Sequence, residues 1–130
     1  KVADWQLAWQ PGTTVVEAVL APGTRVSMVI DEMSYAAIQA GKTERAYGGW
    51  ATFDSVPDQR YARDALAITE GMKADVRHIV ELEINRPVSA HIGIVGAQSG
   101  ALGGGNQVHF VLPPSERSTV FKVIGHRELR

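Results

Sequence analysis

Val76-Arg77-His78-Ile79-Val80-Glu81-Leu82-Glu83-Ile84 alternates with a period of two. In an extended segment His78, Val80, Leu82 and Ile84 fall on one face and Arg77, Ile79, Glu81 and Glu83 on the other. Downstream, residues 90–95, 107–112 and 120–128 each read as a further strand, with turns between them. Closely spaced strands joined by turns favour antiparallel pairing. Upstream, residues 13–20 are rich in β-branched side chains up to the break at Pro22-Gly23, and residues 25–30 (Arg-Val-Ser-Met-Val-Ile) read as another strand. Ser34 as N-cap and Gly41 as stop predict a short helix between them. Gly48-Gly49 turns into a short strand at 50–53. Residues 58–68 are alanine-rich and alternately charged, with Tyr61, Ala65, Leu66 and Ile68 on one side of a helix. The order predicts an α+β domain, its short helices in the N-terminal half packed on a mainly antiparallel β-sheet.

The bulk composition fits one domain. A chain of 130 residues lies within the usual domain range of about 100–150, so residues 1–130 are expected to form a single unit. Apolar residues at 45% and charged residues at 21% are globular proportions and argue against disorder. No run approaches the ~18 apolar residues of a membrane span, and no signal peptide opens the chain. The absence of an initiator methionine predicts a piece of a longer protein, with any targeting signal upstream.

Net charge of −1 argues against nucleic acid, whose binders usually carry a basic excess. With no cysteine there are no disulfides, thiolate metal sites or cysteine nucleophile. The four histidines lack H-x-x-x-H or H-E-x-x-H spacing, so no metal is expected. There is no G-x-S-x-G for a serine nucleophile.

The stretch richest in chemistry is Gly100-Ala101-Leu102-Gly103-Gly104-Gly105-Asn106-Gln107-Val108-His109-Phe110. Three consecutive glycines permit positive φ and close approach of a ligand, and successive N–H groups in such a loop are expected to cradle an anion. The strand that leaves the loop puts Gln107 and His109 on a face toward a cleft, and Val108, Phe110 and Leu112 on a face toward a core. The glycines lead into a strand rather than a helix, so the dinucleotide fingerprint of Rossmann folds does not apply. A plain hairpin loop is the competing reading.

With these residues the chain resembles the tuberculosis necrotizing toxin family of NAD glycohydrolases, whose fold is related to ADP-ribosyltransferases. The family's Gly-Gly-Gly-x-Gln is matched by Gly103-Gly104-Gly105-Asn106-Gln107 after Arg86-Pro87-Val88, with Val108 where the family has an aromatic residue. Its acidic-Arg-aromatic-Gly signature is matched by Glu44-Arg45-Ala46-Tyr47-Gly48-Gly49-Trp50, with one extra residue after the arginine. Arg63-Asp64-Ala65-Leu66 and Arg77-His78 stand for its later elements.

The resemblance implies NAD as substrate and Arg45, His78 and Gln107 as catalytic-site residues. Arg45 would hold a phosphate, and Gln107 the nicotinamide-side ribose. Trp50 or Phe53 would stack on nicotinamide. Arg25 and Arg63 are further phosphate candidates, and Gly103, Gly104 and Gly105 would line the site. It also implies a toxin domain at the end of a delivery protein, secreted or displayed at the cell surface, acting in the target-cell cytoplasm and paired with a cognate immunity protein.

The chemistry suits such residues. Loss of neutral nicotinamide leaves an oxocarbenium-like ring, as in glycoside cleavage. The site must anchor phosphates and aim dipoles at the cation. The strand at 107–109 lacks the glutamate of classical ADP-ribosyltransferases, which favours water as acceptor over arginine modification and leaves ADP-ribosyl transfer to another acceptor as an open alternative. Each residue also has a plainer role: His78 as a hydrogen-bonded core histidine, Trp50 and Phe53 as core packing, Arg45 as a solvated arginine. A metal-independent ribonuclease using His78, His91, His109 or His126 as acid and base is the alternative enzyme. A non-catalytic interaction module is the third class.

Overall fold

The computed structural model describes residues 9–43, 46–97 and 100–130. Seven strands run in chain order: β1 (Val16–Leu20), β2 (Arg25–Ile30), β3 (Trp50–Ala51), β4 (His78–Ile84), β5 (Val88–Ile94), β6 (Asn106–Phe110) and β7 (Phe121–Glu128). Helix α1 (Glu32–Gln39) follows β2, α2 (Gln59–Asp64) follows β3, and a 3₁₀ turn (Pro114–Glu116) runs into the short α3 (Arg117–Val120) before β7. The α+β class and the helices in the N-terminal half are as expected. Among the described residues no helix is long and apolar enough to cross a membrane.

The single sheet expected is in fact two antiparallel sheets, ordered β1-β5-β6-β3 and β2-β4-β7. Among the described residues one bridge joins them: Ser27 and Thr52 exchange both backbone hydrogen bonds at 2.8 Å. The sheets fold toward each other about this bridge and enclose the main core. Val26, Met28 and Ile30 of β2 and Val80, Leu82 and Ile84 of β4 meet Val108 and Phe110 of β6 there. The alternation in β4 is therefore observed, but its other face is also partly apolar. Ile79, with Val29, packs on Val56, Ala62 and Val76 in a second cluster around α2. Fully burying each such side chain contributes about 1.5–3 kcal/mol, which sets the register against a one-residue slip.

The helix starts differ in detail from expectation. Asp31, not Ser34, caps α1: its Oδ1 accepts from the Ser34 amide at 2.7 Å. An aspartate in extended backbone reaches the third amide of the helix, where a serine already inside the first turn cannot. Asp58 caps α2 in the same way, accepting from the Tyr61 amide at 2.8 Å. The helix at 58–68 is shorter than its composition suggests, because Ala67 takes a positive φ of 51° soon after Asp64.

Candidate active site

Both antiparallel registers place a row of side chains on the outer face, away from the main core. Gly93 pairs with Gln107, Ser27 with Thr52 and Glu81 with both Ser27 and Gly125. Trp50 pairs with His109 and Ala51 with Val108, so the continued register sets Thr52 beside Gln107. The row Gly93–Gln107–Thr52–Ser27–Glu81 thus crosses both sheets at their junction. Gln107 and Ser27 are two strand spacings apart, about 10 Å.

An aromatic wall stands on the Gln107 side. Trp9 lies over Gly93, where a Cβ would come within 2.9 Å of the indole. Trp50, 39% exposed, leans on Trp9 with centroids 5.7 Å apart and on His109 at 4.2 Å. His109 faces His91, which meets Glu17 at 3.1 Å. Burial, then His91, then Arg117 push the His109 imidazole below the usual histidine range. On the far side of Thr52 lies a cavity of about 390 Å³, lined by Arg25, Ser27, Phe53, Glu81 and Arg127 among others.

A clasp fixes the segment between wall and cavity. Asp54 Oδ2 accepts from the Asn106 amide at 2.8 Å and from the Tyr61 hydroxyl at 2.7 Å, while Asn106 Oδ1 accepts from the Phe53 amide at 3.0 Å. The hydrogen bond to Asp54 pushes the Tyr61 phenol up to about 12. The clasp holds Phe53 at the cavity and Gln107 at its strand start. Sequence marked Tyr61 only as part of a helix face and did not mark Asp54, since acid and phenol come together only after α2 packs. Arg117 is another such residue. It donates from Nη1 to the Tyr47 carbonyl at 3.2 Å beneath Gly49, in the turn that delivers Trp50.

The predicted residues divide. Gln107, Trp50, Phe53 and Arg25 share the outer face, with Gln107 9% exposed. As expected, Val108 and Phe110 face the core. Arg45 lies outside the described residues.

The glycine loop does not cradle an anion, because its donors are spent. Leu102 donates to the Asp64 carboxylate, Gly103 to Asp64 O, Gly104 to Val95 O and Gly105 to Ala65 O. The glycines are needed for backbone geometry and packing instead. Gly103 has φ 74°, Gly104 φ 98°, and a Cβ on Gly105 would meet Leu66 at 2.9 Å. The loop is a rigid lead into Gln107.

Arg63 is also corrected. Its guanidinium donates to the carbonyls of Ile68, Lys73 and Ala74 at 3.2, 2.7 and 3.0 Å, closing the loop after α2 and leaving the row. His78 belongs to the opposite, core-side face. It is 3% exposed, bonded through Nε2 to the Glu32 carboxylate and through Nδ1 to His126 Nε2 at 2.8 Å. Tyr35 stacks on both rings, with centroids 4.2 and 3.9 Å away. The core-histidine reading describes it.

No family model and no curated protein matches the chain. Among solved structures, Tne2 in complex with Tni2 is 36% identical, with a TM-score of 0.84 over 94% of this chain and 98% of that one. The chain belongs to the Tne2 family. Rhs1-CT, solved in complex with its cognate immunity protein RhsI1, shares the fold at 17% identity and a TM-score of 0.64, over 88% of this chain and 81% of that one. Tse6 in complex with Tsi6 shares it at 12% identity and 0.59, over 93% and 79%. This member of the Tne2 family thus has a fold spanning distant sequences, with Gln107 and its row at the sheet junction.

Proposed function

We propose that this domain is a bacterial toxin that consumes NAD by breaking the nicotinamide–ribose bond, with water as acceptor. The observation that carries the reading is the placement of Gln107. A rigid glycine loop delivers it to the row that joins an aromatic wall to a polar cavity. In this reading Trp50 stacks on nicotinamide, and the Gln107 amide oxygen accepts from a ribose hydroxyl. Its dipole is then aimed at the positive charge that develops as nicotinamide leaves. A neutral leaving group needs no strong acid, so binding and fixed dipoles carry the catalysis.

The resemblance of Gly103-Gly104-Gly105-Asn106-Gln107 to the necrotizing toxin family supports the same substrate, with Arg45 as a phosphate anchor. Kinship with Tne2, solved with Tni2, and a fold shared with Rhs1-CT, solved with its cognate immunity protein, support such a protein as partner. Delivery into the cytoplasm of a target cell follows from the resemblance to the necrotizing toxin family.

The test is release of nicotinamide from NAD by the purified domain, followed by chromatography. Release that a folded Gln107→Ala variant loses by at least roughly tenfold bears the reading out. One observation favours a ribonuclease as the second reading: His91 and His109 stand on the same face with centroids 5.9 Å apart. Burial lowers the His109 imidazole below the usual histidine range, the direction that a general base requires. Cleavage of transfer RNA with NAD left intact would select it.

A further inference from the structure

We propose that the cavity beyond Thr52 is the subsite for the adenosine-phosphate half of the dinucleotide. Arg25 and Arg127 take the phosphate, Glu81 the ribose hydroxyls and the Phe53 ring the base. The proposal rests on the NAD reading above and assigns the other end of that substrate.

Charge is the first argument. The cavity presents Arg25, Arg127, Asp54 and Glu81, yet neither arginine makes an ion pair among the described residues. Asp54 is engaged by Asn106 and Tyr61. Arg127 is held by one bond, Nη2 to the Val56 carbonyl at 2.6 Å, which fixes the guanidinium and leaves its other N–H groups directed elsewhere. Two unpaired guanidinium forks beside the Ser27 and Ser55 hydroxyls match a phosphate. A lining of balanced charge gives a bare anion little net attraction. A nucleotide, with an anionic end and a neutral diol, matches both signs at once. Glu81 stands opposite Gly125, and its exposed carboxylate lines the cavity.

Distance and shape are the second argument. Gln107 lies about 10 Å from Ser27 along the row, two strand spacings. The pyrophosphate link of a dinucleotide bridges such a gap. Phe53 is 45% exposed and its backbone amide is held by Asn106, so an exposed ring on a held backbone borders the cavity. At about 390 Å³ the cavity lies within the range of small-molecule sites.

Calorimetry with 5′-AMP and with adenosine, on the wild-type domain and on Arg127→Gln and Arg25→Gln, tests the subsite without any turnover. The expected result is AMP bound at least tenfold more tightly than adenosine, with each variant losing most of that preference. The Arg25 side chain is exposed and makes no hydrogen bond or ion pair among the described residues, so its variant keeps the test if Arg127→Gln misfolds. The same variants should raise KM for NAD far more than they lower kcat. AMP bound no better than adenosine, or a preference that survives in both variants, overturns the subsite while nicotinamide release still stands. Absent nicotinamide release with the AMP preference intact overturns the NAD reading instead.

Discussion

His78 and Gln107 both project from strands at nearly buried positions, 3% and 9% exposed, and both carry polar groups that sequence marks as chemistry. Their surroundings differ. His78 is closed on all sides of its ring: Glu32 at one nitrogen, His126 at the other, Tyr35 across its face. Gln107 stands in a row that leads from the Trp9–Trp50 wall to an open polar cavity. A buried polar group must be satisfied in either case. His78 is enclosed by its own cluster, whereas the row that holds Gln107 runs on past Thr52 to a cavity.

The sharpest way to break this comparison is to remove the closed cluster. His78→Ala should destabilise the domain by about 2–4 kcal/mol, since it opens a cavity and strips partners from Glu32 and His126. Urea denaturation measures this. A loss below about 0.5 kcal/mol, the range of an exposed substitution, would mean the cluster holds nothing together.

Asp54→Asn sharpens the other side. It weakens the clasp between α2, Phe53 and the start of β6, and a cost of about 1–2 kcal/mol is expected from two hydrogen bonds to a charged group. The specific sign is optical: Tyr61 should titrate in the ordinary tyrosine range instead of near 12. An unchanged tyrosine titration curve would contradict the clasp.

The smallest effect is on pH dependence. Burial and neighbouring cations hold both His109 and His126 below their ordinary 6.5. The folded state therefore binds fewer protons than the unfolded chain, and the related stability is complete above about pH 6.5 and lost as pH falls through the folded values. Urea midpoints should drop below pH 6.5, and His109→Gln should flatten part of that drop. Midpoints that rise on acidification would reverse the assignment.

Much of this was legible in residue order. The alternation from His78 to Ile84 places β4, and Val108 and Phe110 against Gln107 and His109 give the two faces of β6. The split into two sheets was not legible, because it hangs on a single bridge between Ser27 and Thr52, whose positions carry no local pattern. Local composition also misled where long-range partners decide the outcome. The glycine amides looked open to an anion until Asp64, Ala65 and Val95 took them. Arg63 looked like a phosphate ligand until the loop at 68–74 folded back onto it. Arg127 reads in sequence as one charge beside His126, and only the register of β7 against β4 brings it to the cavity with Arg25.

The central claim is that catalysis belongs to the Gln107 row and not to the His78 cluster. The direct measurement is kcat for nicotinamide release by Gln107→Ala and by His126→Phe, compared per folded molecule. His126→Phe removes the bond to His78 yet keeps a ring against Tyr35. The account predicts at least a tenfold fall for Gln107→Ala and a kcat within twofold of wild type for His126→Phe. A collapse of kcat in His126→Phe, with Gln107→Ala still active, would contradict it and move the active site to the His78–His126 cluster on β4 and β7.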